Sequence, residues 1–160
     1  MSHAIIKAGT RDRGKISWDA IGSAVWTTLH TFVYSVEDSR RGTLAERLEA
    51  FCNLVSSIQR MYPCITCYTN LNGCHRGAVA DCDAACHRTK YASAVDASNA
   101  LALWVFRLHN TVTRWKMLNY DDEPINAASS EWVDMESPYM STQAVLRKLR
   151  ERWSPHESSF

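Results

Sequence analysis

The sequence lacks any long hydrophobic run. No stretch of its 160 residues approaches the ~20 consecutive apolar residues that a transmembrane helix needs. The N-terminal residues Met-Ser-His-Ala-Ile-Ile-Lys also lack the long apolar core of a secretory signal. We therefore expect a soluble protein that is neither inserted in a membrane nor secreted.

The chain also lacks an excess of either charge. It has 18 basic and 17 acidic residues, a net charge of +1, so no broad field is available to hold nucleic acid or an anionic membrane. The one basic cluster is Arg147, Lys148, Arg150 and Arg152. We interpret it as the solvated face of a terminal helix. The expected partners therefore include neither nucleic acid nor a membrane.

Strand signals are nearly absent as well, because alternation of apolar and polar residues is not sustained anywhere. Apolar residues instead recur at spacings of three and four, which is typical of amphipathic helices. A hydrophobic content of 46% with six tryptophans is enough for a core, and no internal repeat or low-complexity linker is visible. The sequence predicts one all-α domain over residues 1–160.

The helix signals divide this domain further. Ile21, Val25, Leu29 and Phe32 are spaced to form one buried face of the first helix. The predicted helices run from about Ser17 to Tyr34, from the capping box Thr43-Leu44-Ala45-Glu46 to Met61, from Pro63 or Cys64 to Asn72-Gly73, from Ser98 to Met117 and from Ser137-Pro138 to Trp153. We expect a core at about 17–118 with a loop insertion at about 74–96, and a C-terminal extension at about 119–160.

The run Tyr62-Pro63-Cys64-Ile65-Thr66-Cys67 is the first sign of chemistry. Pro63 suits the first turn of a helix, and a cysteine at a helix N-terminus is favoured as the reactive thiolate. Two cysteines at this spacing can form a redox-active disulfide, but they can equally form half of a zinc site. The motif alone leaves both readings open.

Four further cysteines are present. Six in all are many for a reducing compartment, so they bind metal, perform redox chemistry or belong to a chain that makes its own oxidising conditions. Cys52, in the middle of the second helix, is most simply a buried thiol. Cys74, Cys82 and Cys86, with the nearby His75 and His87, offer enough ligands for zinc, although their spacings match no common zinc finger. The sequence does not decide how Cys52, Cys74, Cys82 and Cys86 pair.

Two other segments accompany the cysteine motif. One is Trp26-Thr27-Thr28-Leu29-His30-Thr31 on the first helix, and the other is Trp104-Val105-Phe106-Arg107-Leu108-His109-Asn110-Thr111-Val112 on the fourth. In this order, Trp-x-x-Leu-His-Thr, Tyr-Pro-Cys-x-x-Cys and Trp-x4-His-Asn-x-Val resemble the Erv/ALR family of FAD-linked sulfhydryl oxidases. The resemblance spans roughly Gly22 to Lys116.

The resemblance implies a four-helix bundle that holds FAD, with an additional C-terminal helix in this chain. It assigns catalysis to Cys64 and Cys67, with Cys64 attacked by the substrate and Cys67 on the flavin side, and it predicts no metal site. The cofactor-binding residues that it implies are Gly22, Trp26, His30, Tyr34, Trp104, His109, Asn110, Val112, Thr113, Arg114, Lys116 and Trp132.

The chain departs from the family pattern at several of these positions. Thr113 stands where the family carries an asparagine, and Phe106 stands where many members carry a cysteine that pairs with the C-terminal segment. Arg114 matches a family basic residue in register, whereas Lys116 is shifted. The missing cysteine and the short chain resemble a viral branch of the family more than the mitochondrial branch.

The implied function is oxidation of thiols to disulfides in protein substrates, with electrons passing through FAD to O2 and release of hydrogen peroxide. The resemblance also implies a homodimer packed through the first two helices. The expected location is the host cytoplasm or the virion for a viral chain, and otherwise the mitochondrial intermembrane space. The alternative is a zinc-binding helical interaction module built on Cys74, Cys82, Cys86 and the nearby histidines.

Overall fold

The computed structural model describes residues 18–62, 86, 91–119 and 140–154. Within these ranges the chain forms four α-helices and one short 3₁₀ turn, Ser39–Arg41, and no strand. The helices are α1 Trp18–Ser35, α2 Leu44–Met61, α3 Ala94–Asn119 and α4 Thr142–Trp153. This confirms the predicted all-α class. The helix predicted to begin at Pro63 or Cys64 lies outside the described residues.

The helices begin where side chains cap them. At the start of α2, Thr43 and Glu46 form the predicted capping box: the Glu46 amide donates to Thr43 Oγ1 at 3.3 Å, and the Thr43 amide donates to Glu46 Oε2 at 2.7 Å. Helix α3 begins before the predicted Ser98, because Ser93 Oγ accepts from the Asp96 amide at 3.1 Å. Helix α4 begins only after Ser141, which accepts from the Ala144 amide.

Helix α1 lies at the centre of the described structure, where it packs against α2, α3 and α4, while α3 also packs against α4. The core contains residues from all four helices, including Leu29, Val33, Leu48, Leu101, Val105 and Leu149.

The prediction that Phe32 is buried was wrong, since its side chain is 47% exposed. The buried arc of α1 is centred on Val33, and Phe32 falls beyond its edge. No helix in the described ranges is long and apolar enough to cross a membrane.

Helix α4 is attached to the bundle by packing and by a set of polar contacts that we call the clamp. The buried side chains of Val145 and Leu149 provide the packing. In the clamp, Arg150 donates to the Glu37 carboxylate at 2.6 and 3.1 Å. Ser98 also donates to Glu37, and Arg150 donates to Asn99 Oδ1 at 3.2 Å; the clamp therefore consists of Glu37, Ser98, Asn99 and Arg150.

The electrostatics of the clamp favour the ionised pair. Burial alone would raise the pKa of the Glu37 carboxyl, but the hydrogen bonds from Arg150 and Ser98 outweigh it and leave the pKa below its usual value. Phe106, where the family often has a cysteine bound to the C-terminal segment, is instead a buried core residue. Among the described residues, packing and the clamp attach α4 to the bundle.

Candidate functional site

Helix α1 carries a stripe of predicted site residues at a spacing of four. We call Gly22, Trp26, His30 and Tyr34 the α1 stripe. Residues four apart in a helix lie above one another on the same face. Gly22 and Trp26 are half-buried, whereas His30 and Tyr34 are buried. The stripe therefore runs from a partly open end of the helix into the core.

Four aromatic rings meet around the middle of this stripe, and we call Trp26, His30, His109 and Trp153 the ring cluster. The rings of Trp26 and His109 are stacked, with centroids 4.3 Å apart and an angle of 10° between planes. Nε2 of His30 lies 3.2 Å from Nδ1 of His109, a hydrogen-bonding distance. On the other side, His30 stacks on Trp153 with centroids 5.1 Å apart and an angle of 13°. Three helices thus contribute rings to one cluster.

The ring cluster holds His30 in its neutral form. Burial, with further contributions from the neighbouring His109 and Arg152, lowers the pKa of His30 to about 3. A neutral imidazole has one donor nitrogen and one acceptor nitrogen. The contact with His109 occupies Nε2 in one of these two roles, so it fixes the direction of the His30 ring. His30 can therefore offer hydrogen bonding without bringing a charge into the core.

Tyr34, at the inner end of the stripe, places a second polar group in a buried position. Its hydroxyl oxygen is buried and has no hydrogen-bond partner among the described residues. Burial is the main cause that raises the pKa of Tyr34 to about 12, although the Arg150 guanidinium 4.9 Å from the ring centroid opposes it. Tyr34 is therefore a neutral phenol whose hydroxyl receives no hydrogen bond from, and donates none to, any described residue.

The outer end of the stripe lies against the end of α2. A Cβ atom placed on Gly22 would lie 3.6 Å from the hydroxyl oxygen of Tyr62, so the two residues are neighbours. Tyr62 is the residue immediately before Pro63 and Cys64. The structure thus brings the start of the cysteine motif to the α1 stripe, one helical turn before Trp26. Cys64 and Cys67 themselves lie outside the described residues.

The remaining predicted site residues are on α3 or beyond it. Trp104 contacts Phe51 of α2 edge to face, with centroids 6.5 Å apart, so it lies at the junction of α2 and α3. Asn110, next to His109, is fully buried, and Val112 and Thr113 are half-buried while Arg114 is exposed. Lys116 belongs to α3, but its side chain lies outside the described part of the chain, as does the whole of Trp132.

Sequence reasoning missed Trp153 as a site residue. The sequence does show that Trp153 continues the apolar face of α4 formed by Val145 and Leu149. This pattern indicates that the indole packs against the bundle, but it contains no information about which residue the indole meets. The contact with His30 depends on how α4 docks, which is a property of the tertiary structure.

The described residues fit a flavin in two respects. A flavin has a flat ring with hydrogen-bonding groups along its edges, and pockets for such ligands combine apolar ring faces with a few placed polar groups. The ring cluster supplies the faces and the imidazole nitrogens. Tyr34 supplies a buried hydroxyl whose hydrogen bonding is not satisfied by any described residue, and such groups are rare in proteins.

The alternative zinc site falls mostly outside the described residues. Of its proposed ligands, only Cys86 is described, and this residue is half-buried and packs against the core. Within the described ranges, no three His, Cys, Asp or Glu side chains are grouped to hold a metal ion. The zinc hypothesis therefore stays a prediction from the sequence.

Comparison with known proteins identifies the family. The model of the Erv1 / Alr family matches residues 23–132, which is more than half of the chain and includes the α1 stripe from Trp26 onward, the cysteine motif and His109. No curated protein and no solved structure matches the chain. Helix α4 lies wholly beyond the matched segment. Together with the all-α fold and the ring cluster, this match shows that the chain belongs to the Erv1 / Alr family.

Proposed function

We propose that this protein is an FAD-dependent thiol oxidase that forms disulfide bonds in protein substrates. The Erv1 / Alr family is typically one of FAD-linked sulfhydryl oxidases, which gives the reaction class. The observation that carries the proposal is the stack of Trp26 on His109, with His109 within hydrogen-bonding distance of the neutral His30. Trp26 and His30 belong to α1, and Tyr62, the first residue of the cysteine motif, lies next to Gly22 of the same helix.

Cys64 and Cys67 perform the thiol chemistry in this proposal. A substrate thiolate attacks the sulfur of Cys64 in the Cys64–Cys67 disulfide, and the electron pair of the broken S–S bond leaves with Cys67 as a thiolate. A second substrate thiolate then attacks the substrate sulfur of this mixed disulfide and releases Cys64. The products are one substrate disulfide and a reduced Cys64–Cys67 pair.

The ring cluster and its neighbours would hold the cofactor. Trp26 and His109 offer ring faces, while His30 and Asn110 offer hydrogen bonding from buried positions. FAD, when bound, supplies the chemistry that takes two electrons from the reduced cysteines and passes them to O2, which becomes hydrogen peroxide. The low pKa of His30 keeps its imidazole uncharged throughout the physiological range.

Substitution of the motif cysteines tests the thiol chemistry. Cys64→Ser and Cys67→Ser should each abolish oxidation of dithiothreitol, measured as oxygen consumption, while the purified protein stays yellow with flavin absorption. Cys52→Ala is the matched control, because Cys52 lies on α2 against the core and has no role in the proposed exchange. Turnover retained by either serine variant would contradict the mechanism. A colourless wild-type protein that releases zinc to a chelator would favour the zinc module instead.

Removal of the stacked imidazole tests the cofactor site. His109→Ala removes both the stack on Trp26 and the hydrogen bond to His30, so it should lower flavin occupancy of the purified protein. The absorbance ratio of flavin to protein measures this occupancy. Arg107→Ala is the control, because Arg107 is exposed on the same helix. Full occupancy in the His109 variant would remove this residue from the site.

The proposed assembly is a homodimer through α1 and α2. Phe32 is a large apolar side chain of α1 that is 47% exposed, as expected for a group that a partner copy covers. Phe32→Glu should therefore shift the protein from dimer to monomer in light scattering, and a wild-type monomer at micromolar concentration would contradict the proposal.

The proposed location is the mitochondrial intermembrane space, or the host cytoplasm or virion for a viral chain.

A further inference from the structure

Met61 is the most exposed large apolar side chain among the described residues. Its side chain is 79% exposed, against 47% for Phe32 and 48% for Val95. It is the last residue of α2, a position where a helix gains from a cation or a polar cap and not from an apolar group. Because it is so exposed, Met61 adds little to the core. Neither packing nor helix termination therefore explains a methionine here.

Met61 continues a row of apolar side chains on α2. Leu54, Ile58 and Met61 are spaced by four and three residues, so they lie on one face of the helix, and we call them the α2 stripe. Leu54 and Ile58 are half-buried and pack against the core, whereas Met61 extends beyond it. Isolated apolar side chains are common on protein surfaces. This one instead prolongs an apolar row from the edge of the core to the end of the helix.

The α2 stripe ends beside the cysteine motif. Three peptide units join Met61 to Cys64, and neighbouring Cα atoms are about 3.8 Å apart, so the two Cα atoms lie within about 11 Å of each other. Cys64 itself lies outside the described residues, and this limit holds for any path of the chain. An extended polypeptide spans about 3.3–3.6 Å per residue. A substrate whose cysteine meets Cys64 can therefore place a side chain up to about three residues away on Met61.

Unfolded substrates present the chemistry that Met61 recognises. Cysteine is among the residue types most often fully buried in folded proteins, so its neighbours in a core are commonly apolar. Before folding, such a chain exposes the thiol and these apolar neighbours together. Methionine is unbranched and polarisable, so it adapts to apolar side chains of different shapes. Once the disulfide has formed and the chain has folded, the apolar neighbours are buried and are no longer available to Met61.

We propose that Met61, at the end of the α2 stripe, is a specificity-determining residue that binds an apolar side chain of an unfolded protein substrate. This side chain lies within about three residues of the substrate cysteine that attacks Cys64. The inference rests on the proposed function, because the exchange at Cys64 is the reaction that it makes selective. It names the substrate class as extended segments in which a large apolar residue lies near a thiol.

Two dithiol peptides that differ at one residue test this inference. Each has two cysteines, and the residue two positions before the first cysteine is leucine in one peptide and serine in the other. Oxygen consumption gives kcat/KM for each peptide. The wild type should oxidise the leucine peptide with a kcat/KM about three- to tenfold higher, the range expected when one apolar side chain is partly removed from water. In Met61→Ser this preference should fall to within about twofold.

Two further variants separate Met61 from general effects. Met61→Leu keeps an apolar side chain and should keep the preference for the leucine peptide. Val95→Ser removes an exposed apolar side chain from α3 instead of α2, and it should also keep the preference. A preference that persists in Met61→Ser would overturn the inference, even if kcat/KM falls equally for both peptides, because an equal fall would mean that Met61 acts on the cysteine motif and not on the substrate.

Measurements with dithiothreitol tell a failure of this inference from a failure of the proposed function. A wild type that oxidises dithiothreitol but treats the two peptides alike would refute only the inference. A wild type that oxidises neither dithiothreitol nor either peptide would refute the proposed function and this inference with it. Light scattering covers the remaining case, since conversion of a dimer to a monomer by Met61→Ser would assign this side chain to a second copy and overturn the inference.

Discussion

The two halves of α1 have opposite surroundings although they belong to one continuous helix. In the second half, Leu29, His30, Val33 and Tyr34 are buried against the rest of the bundle. In the first half no described side chain is fully buried, and Ala20, Ser23, Ala24 and Thr27 are exposed. The ring cluster lies where the two halves meet, with Trp26 half-buried and His30 fully buried. The proposed flavin site therefore lies between a buried part of the helix and a partly open part.

The largest contrast between the halves should appear in stability. Leu29→Ala in the buried half should lower the free energy of unfolding by about 2–5 kcal/mol, because it leaves a cavity in the core. Thr27→Ala in the open half should change it by less than about 0.5 kcal/mol. Urea unfolding followed by circular dichroism measures both. Similar effects of the two substitutions would show that the first half is also packed.

A pH titration sharpens the contrast at the junction. The pKa of His30 is about 3 in the folded protein, whereas its ordinary value is 6.5. As the pH falls below 6.5, the unfolded chain takes up a proton at this residue and the folded chain does not, so the protein loses stability. Between pH 6.5 and pH 5 the loss should reach about 2 kcal/mol, and above pH 6.5 it should vanish.

The variant His30→Phe isolates this contribution, because a phenylalanine ring fills the same space without titrating. The difference in unfolding free energy between wild type and variant should depend on pH below 6.5 and stay constant above it. A difference that does not change with pH would mean that His30 is accessible to protons in the folded state.

Substitution of a clamp residue tests how the buried half of α1 is connected to α4. Glu37→Gln removes the charge that Arg150 binds and should cost about 1–2 kcal/mol, between the values typical of exposed and of buried ion pairs, because both side chains are partly exposed. Arg147→Ala breaks only an exposed contact with Glu151 at 4.0 Å and should cost less than about 0.5 kcal/mol. Thermal unfolding compares the two. A smaller loss for Glu37→Gln than for Arg147→Ala would exclude the clamp as the main polar attachment of α4.

The smallest effect is expected from the hydroxyl of Thr28 in the open half. Thr28 Oγ1 donates to the carbonyl of Ala24 at 2.8 Å, a bond within one helix that adds little to stability. Thr28→Ala should change the free energy of unfolding by less than about 0.5 kcal/mol. A loss above about 1 kcal/mol in the same urea assay would indicate a contact of this face that is absent from the isolated chain.

The sequence predicted the helices wherever local signals were strong. The capping box at Thr43 and Glu46 set the start of α2, and the apolar series on α3 and α4 identified their buried faces. The start of α3 was predicted late, because the serine-aspartate cap at Ser93 and Asp96 was read as part of the loop. The face of α1 was misjudged at Phe32, because the direction from which α3 and α4 approach is not encoded in local spacing.

For the site too, the contacts that sequence motifs indicate were predicted, and the contacts that depend on helix docking were not. The meeting of Trp26, His30 and His109 was anticipated, because the family resemblance joins the two helix motifs. The stack of Trp153 on His30 and the bond of Arg150 to Glu37 were not anticipated. Both join residues that are more than a hundred positions apart, and no motif connects them. Such contacts arise from the docking of whole helices, which depends on the summed packing of the core.

The bond between Glu37 and Arg150 also has a consequence for biosynthesis. The two residues are 113 positions apart, so α1 emerges from the ribosome long before the helix that covers it. At ordinary elongation rates of about 5–20 residues per second, the Trp153 ring that stacks on His30 is made several seconds after α1. A nascent chain therefore presents the first motif before Trp153 has been made, and the ring cluster cannot be complete until translation has reached the last helix.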